Sequence, residues 1–460
     1  MEMIKKFLNS YLYIPTVFLI SLTFWLIAYL SKNNVIDNII IYKIENISLI
    51  TFGVIALLLL VFFKNTYYFI PWVIFIPFVF ARPFDALSIP SCIYIGLGLM
   101  VVGLILNIII YKPKLKIGQF FFGLLVLCIA FVLGGINVKT DNSSFQLMIT
   151  TICVVAFLLV YCLIASSSSI KFDEIARLFT YLGIFLVIQL IVFFYLYEDI
   201  TVAFLNKVTN VGWGISNNIA LILLFTFPFT LYLAFSKKHV YTIIYSLLTY
   251  IQIVAIIITY SRGAILSLAI GIIILIPFVI WKAKDKITLI ASVVILIAVT
   301  IFGIFKIKEI YPDEFLKIYE IVTKLDFENM NGRTPIYEDC INALKEYPIF
   351  GKGVLATFTE DPNGVVVYEW GHSTILQTVR TMGSVGCIAM LFHLGQKYFV
   401  LFKKINVAKM TVIASFAISG LYGLFDVSYY FINYMIPLIL CMAMLECLFK
   451  NSGEQDYEVL

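Results

Sequence analysis

Stretches of unbroken apolar sequence recur along almost all of this 460-residue chain, and they restrict its fold more than any motif does. A helix crossing the hydrocarbon of a bilayer needs about 20 apolar residues, because each residue adds about 1.5 Å against a layer about 30 Å thick. Segments that meet this need run from 12–30 to 429–449. The segment 66–81 is short and holds Pro71 and Pro77, and 409–427 leads almost directly into 429–449. An all-α polytopic membrane protein with about 12–14 transmembrane helices is therefore expected. Water cannot be the solvent of such a chain. With 62% hydrophobic residues, 13% charged residues and a mean hydropathy of +1.01, too little polar surface exists to cover the apolar remainder.

Lys and Arg in short loops bias those loops towards the cytoplasm. With the N-terminus inside, the inner connections hold Lys112, Lys114 and Lys116, then Lys237 and Lys238, then Lys282, Lys284 and Lys286, then Lys403, Lys404 and Lys409. Inner segments carry roughly 18 basic residues against roughly 6 in the short outer ones, the asymmetry that topology requires. Both termini are then cytoplasmic, and the one long hydrophilic segment, 306–382, faces outward from the cytoplasmic membrane. Five regions follow: transmembrane helices over 1–210, a second group over 211–305, the extracytoplasmic loop 306–382, transmembrane helices over 383–450, and a short polar tail over 451–460, expected to be disordered. The basic side chains of His393 and Lys397 are expected to reach the inner interface.

Three histidines, eight cysteines and no C-x-x-C pair give no metal-ligand spacing, and most of the cysteines lie inside apolar runs as small hydrophobes. Neither a metal nor a cofactor is expected. The inner basic residues are explained by topology and imply no nucleic acid. Paired broken helices in two matching halves, the pattern of many transporters, are not visible.

Three polar segments sit at outward helix starts. In the loop, Thr334 is a suitable N-cap and Pro335 a suitable first helical residue, while Ile336, Cys340, Leu344 and Tyr347 share one face until Pro348 ends the run. This predicts an amphipathic helix lying on the membrane, with Arg333 just before its N-terminus, where free amides and the helix dipole already favour an anion. In Tyr260-Ser261-Arg262-Gly263-Ala264, Ser261 is placed to cap a transmembrane helix and Arg262 to occupy its first turn. Gly371-His372-Ser373-Thr374 opens a third helix, which leads through Gly383 and Gly386 into the next span. Guanidinium groups hold phosphate oxygens bidentately and stay charged, and a histidine kept neutral by nearby arginines suits proton abstraction from a sugar hydroxyl. Each residue also has a plain reading: Arg262 as an interfacial arginine, Arg333 as a solvated charge, His372 as a surface histidine. Gly351-Lys352-Gly353 is too short a pattern to mark a phosphate loop.

Taken together, Ser261-Arg262-Gly263-Ala264, then Asn331-Gly332-Arg333, then Tyr347-Pro348-Ile349-Phe350-Gly351-Lys352-Gly353, then His372 with Leu376, Gln377, Gly383 and Gly386, resemble the O-antigen ligase and O-antigen polymerase superfamily. The resemblance covers roughly residues 210–450. It implies a GT-C-like, metal-independent inverting glycosyltransferase that moves glycan from an undecaprenyl pyrophosphate donor to a glycan acceptor at the outer membrane face. Arg262 and Arg333 would hold the pyrophosphate, and His372 would deprotonate or orient the acceptor hydroxyl. Ser373 and Thr381 depart from the Asn and Glu that many members carry, which fits surface-polysaccharide polymerases somewhat better than ligases. Asn217 and Asn218 at an outward helix start, Asp426 in the last outer turn, and Ser261, Ser373, Gln377 and Arg380 are further pocket candidates, although Asp426 has an equal reading as a helix cap.

The leading expectation is a polysaccharide polymerase that joins lipid-linked repeat units. Its rivals are a ligase passing glycan to lipid A core or another acceptor, and a lipid-linked oligosaccharide flippase, which has no evident use for so long a loop. Expected partners are the lipid-linked oligosaccharide donor, the glycan acceptor and membrane lipids, with a chain-length regulator as a further candidate.

Overall fold

The computed structural model describes residues 2–33, 38–81, 91–115, 117–137, 158–197, 208–310, 312, 316, 333–353, 358–360, 366–368 and 370–452. Among these, nine helices are long and apolar enough to cross a membrane, and five shorter apolar helices span 10–17 residues. The chain is a multi-pass, all-α membrane protein, with one small antiparallel pairing of Phe358–Glu360 and Val366–Tyr368.

Among the described residues, these fourteen apolar helices accommodate the predicted 12–14, and local chemistry shapes the shorter ones. Pro71 and Pro77 break the 66–81 segment into a 3-10 turn, a six-residue helix and a second 3-10 turn. The 409–427 segment is a 16-residue helix, Val407–Tyr422, followed by an irregular connection over 423–431. Phe121–Leu133 holds only 13 residues, and residues 138–157 lie outside the described residues, as do Asn331, Gly332 and the tail beyond 452.

Two compact units can be distinguished. The first comprises Met1–Lys116, Leu163–Val299 and Ile436–Leu460. Its most enclosed long helix, Ser216–Ser236, is 83% buried over its apolar window. Lipid offers no hydrogen bonds, and several polar side chains in this unit pair with one another or with backbone. Gln252 donates to Thr230 Oγ1 (2.8 Å), which donates to Thr180 Oγ1 (3.1 Å), and Gly183 leaves room for the Gln252 amide, which would lie 2.6 Å from an added Cβ. Gln189 ties two irregular stretches together, donating to Phe78 O and accepting from Trp213 Nε1, both at 2.8 Å.

The second unit comprises Ile117–Cys162 and Thr300–Met435. Its loop helix runs from Thr334 to Glu346. Arg333 occupies the cap position, one residue before the predicted Thr334, because Thr334 already has helical geometry and Pro335 follows it in the first turn. The expected apolar stripe forms, but it meets protein: Cys340 and Ala343 are buried, and the helix packs on the long helix Thr374–Phe402. Of the predicted face, Cys340 is buried there, while Ile336, Leu344 and Tyr347 remain partly exposed.

Thr374–Phe402 is itself broken at Gly383, whose φ of 59° and ψ of −150° belong to no helix. Such a break strands backbone groups, and the Tyr347–Gly353 segment takes them up. Ser384 N–H donates to Pro348 O (2.9 Å) and Val385 N–H to Ile349 O (3.1 Å), while Lys352 N–H donates to Arg380 O (2.7 Å) and Gly353 N–H to Thr381 O (3.1 Å). Gly351 (φ 70°) and Gly383 (φ 59°) face each other where the two backbones touch, and a Cβ on Gly383 would stand 2.7 Å from Ile349 C and O. The Gly-Lys-Gly element is therefore a strap over a broken helix. Lys397, expected to reach the inner interface, is instead enclosed at 2% exposure, because its ammonium is received by Tyr429 from the 423–431 connection.

Candidate active site

The second unit brings His372, Arg333 and Asp426 together. His372 ends the approach to the kinked helix in the left-handed region (φ 44°), which is uncommon for a side chain larger than Gly and costs about 1–2 kcal/mol. Gln377, one turn into the helix and buried, fixes that turn by accepting from Gly371 N–H at 2.7 Å. Ser373 follows in extended geometry as the N-cap residue, without a side-chain capping bond. The same local sequence of conformations occurs at Tyr260 (φ 56°) and Ser261 before Arg262. Both signature segments thus place a strained residue ahead of a serine at a helix start.

Opposite His372 lies the 423–431 connection. Thr374 holds it in place: its N–H donates to Gly423 O (2.7 Å), and its hydroxyl meets Asp426 O (3.2 Å), Ser428 Oγ (3.0 Å) and Ser428 N–H (2.9 Å). This lock presents the Asp426 carboxylate to the imidazole, with His372 Nδ1 3.4 Å from Asp426 Oδ1. The histidine side chain is 34% exposed and that of Asp426 only 7%. Val427 N–H donates to Asp426 Oδ1 (2.8 Å) and Tyr422 Oη to Oδ2 (3.3 Å). Burial pushes the Asp426 pKa up, but the His372 imidazole, the Val427 amide and the Arg333 charge outweigh it and hold the carboxyl below its ordinary value. It is a carboxylate at neutral pH.

Arg333 reaches the same segment from the start of the loop helix, donating from Nη1 to Phe425 O at 2.7 Å. One donor fixes the guanidinium, and the group carries four more. A half-exposed cation, an imidazole and a buried carboxylate converge on two consecutive residues, Phe425 and Asp426.

Arg380, a pocket candidate by sequence, is 2% exposed and forms an ion pair with Asp339 Oδ2 on the loop helix (Nη2 to Oδ2, 2.9 Å). It joins the helix that follows His372 to the helix that follows Arg333. Thr381 is fully buried, donating to Gln377 O (2.6 Å) and meeting Tyr430 Oη (2.8 Å). Arg262, Ser261, Asn217 and Asn218 belong to the first unit. Arg262 is the first residue of Arg262–Lys282, with Ser261 at the cap position but without the predicted side-chain capping bond, and the two asparagines lie in the first turn of Ser216–Ser236. Asp339 and Ser428 had no sequence signal, and Thr374 was visible only as part of a helix start, since each matters through a partner distant along the chain.

Residues 247–391 match the family model described as O-Antigen ligase. The matched segment includes Ser261, Arg262, Arg333 and His372 and stops before Asp426. No curated protein matches the chain.

Proposed function

From a multi-pass membrane chain whose residues 247–391 belong to the O-antigen ligase and polymerase superfamily, we propose a polysaccharide polymerase that joins undecaprenyl-pyrophosphate-linked repeat units at the outer face of the cytoplasmic membrane. The observation that carries this reading is the His372–Asp426 pair beside Arg333. With Nδ1 turned to Asp426, Nε2 is the nitrogen that meets an acceptor hydroxyl. The acceptor oxygen attacks the anomeric carbon of the donor from the face opposite the pyrophosphate, so configuration inverts. The sugar–phosphate bond breaks, and its electron pair leaves with the pyrophosphate. The hydroxyl proton passes to Nε2, and the buried carboxylate stabilises the imidazolium that forms. Arg333 stabilises charge growing on the leaving pyrophosphate, a task that metal ions perform in other enzymes.

The family description itself favours a second reading, in which finished glycan is passed to lipid A core or another acceptor. Purified protein supplied with lipid-linked repeat units alone separates the two. A polymerase lengthens the lipid-linked glycan, a ligase leaves it unchanged until a second acceptor is added, and a flippase moves it across vesicles with the sugar–phosphate bond intact. Absence of any bond cleavage in either mixture would remove the glycosyltransferase reading.

A further inference from the structure

Below the break at Gly383, the kinked helix carries two ionisable residues that the transfer reaction does not use. His393 is 1% exposed and Lys397 2% exposed, inside a segment otherwise apolar enough for lipid. Ionisable side chains in such positions are expensive to bury and are retained where they do a task. Lys397 Nζ donates to Tyr429 Oη at 2.6 Å, and it lies 5.0 Å from the ring centre of Tyr398, 5.1 Å from Phe416 and 5.3 Å from Tyr429. Tyr429 thus receives the Lys397 nitrogen at its hydroxyl end, while Tyr398 and Phe416 supply ring neighbours of the kind that stabilise a cation away from water. His393 completes the surroundings of the same hydroxyl, with Nε2 3.5 Å from Tyr429 Oη and the two rings edge to face at 82°.

Tyr429 lies three residues beyond Asp426 on the 423–431 connection, which has no helix or strand of its own. Its course is set by side chains at either end. Thr374 holds Gly423 and Ser428 at the outer side, and Tyr430 is tied to Thr378 and Thr381. The Lys397–Tyr429 bond is the anchor that reaches into the second half of the broken helix. Because the helix changes direction at Gly383, Tyr429 relates the Asp426 connection to the helix beyond the break, and the Lys397 bond at 2.6 Å is the shorter of its two ties there, His393 Nε2 standing at 3.5 Å.

We propose that Lys397 is a positioning residue for the transfer reaction: through Tyr429 it holds the 423–431 connection so that the Asp426 carboxylate faces His372 Nδ1. This rests on the reading of His372 and Asp426 as the reacting pair. The donor suits the task, because a buried tyrosine hydroxyl needs a partner and the Lys397 amino group supplies one.

The chain has three histidines, His239, His372 and His393, so ¹⁵N-histidine spectra of the full protein in lipid nanodiscs contain few signals, assigned with His239→Gln and His393→Gln. Asp426→Asn sets the reference, moving His372 Nδ1 to its position without a carboxylate. Lys397→Met and Tyr429→Phe are expected to move the His372 Nδ1 resonance in that same direction at fixed pH. Lys409→Met, at a buried lysine that donates to Val400 O (3.3 Å) and to the carbonyl of Lys403, is expected to leave it in place. Tyr429→Phe keeps the ring and removes one oxygen, so it decides the matter if Lys397→Met does not fold. An unmoved His372 resonance in folded Tyr429→Phe, or an equal displacement in Lys409→Met, overturns the proposal. The spectra contain no glycan, so loss of the polymerase reading by assay would leave this outcome separately legible.

Discussion

Replacing Gly383 by Ala tests the strap over the broken helix quantitatively. The residue sits at φ 59° and ψ −150°, a region of backbone space that is essentially reserved for glycine, and placing a side chain there costs about 1–3 kcal/mol. The new Cβ would also stand 2.7 Å from Ile349 C and O and 2.8 Å from Gly351 N. These are backbone atoms held by four hydrogen bonds, so overpacking adds about 1–3 kcal/mol. Together the two terms give about 2–6 kcal/mol, a large share of the 5–15 kcal/mol typical of folded proteins. Gly395 on the same helix is the internal control, since a Cβ there meets nothing within 4 Å and Ala should gain up to about 1 kcal/mol. The local readout is alkylation of Cys340, which is fully buried on the loop helix directly before the strap, followed by peptide mass spectrometry. If the strap opens as a unit, 2 kcal/mol raises the labelled fraction at early times by about 30-fold. Equal Cys340 labelling in Gly383→Ala and Gly395→Ala would refute the reasoning.

Asp426→Asn keeps shape but removes the carboxylate beside His372, and glycan transfer should fall by about 100-fold or more while the protein still inserts, measured as polymer formed by purified variants. Because the Asp426 pKa is lowered on folding, its contribution to stability is complete above the ordinary carboxyl value of 3.8 and is lost as pH falls through the lower folded value. Thermal unfolding followed from pH 7 to pH 3 should therefore show a wild-type loss at the acid end that Asp426→Asn lacks. The Arg380–Asp339 pair is asymmetric in burial, with side chains 2% and 40% exposed. Asp339→Ala, which leaves a buried guanidinium without its carboxylate, should destabilise by about 3 kcal/mol, more than Arg380→Met, in denaturant melts of the reconstituted protein.

Apolar patterning made the membrane class legible, because a bilayer imposes one length on every span and that length is visible in any window of sequence. It did not reveal which apolar segments would be short or broken, as at Pro71 and Pro77, or where an irregular connection stays apolar, as between Tyr422 and Ile432. Arg333 and His372 were legible because each sits at a helix start, a position that residue types announce. The pairing of His372 with Asp426 was not, since the two are far apart in the chain and meet only because Thr374 locks the connection. Lys397 misled for a related reason. A lone lysine near the end of an apolar run reads as one that reaches for water, and only the folded chain reveals the Tyr429 hydroxyl and the Tyr398 and Phe416 rings that receive it. Gly383 and Gly351 were visible as residues of a signature but their task was not, because each glycine is explained by the other.

The central claim is that Arg333 and His372 act on a lipid-linked glycan. The direct measurement is polymer length in cells whose only copy of the protein is native, Arg333→Ala or His372→Ala, with membrane insertion of each variant verified by its amount in the membrane fraction. Both variants should insert at native levels, form no long polymer and accumulate single lipid-linked repeat units. Full-length polymer from both inserted variants would contradict the assignment of this site.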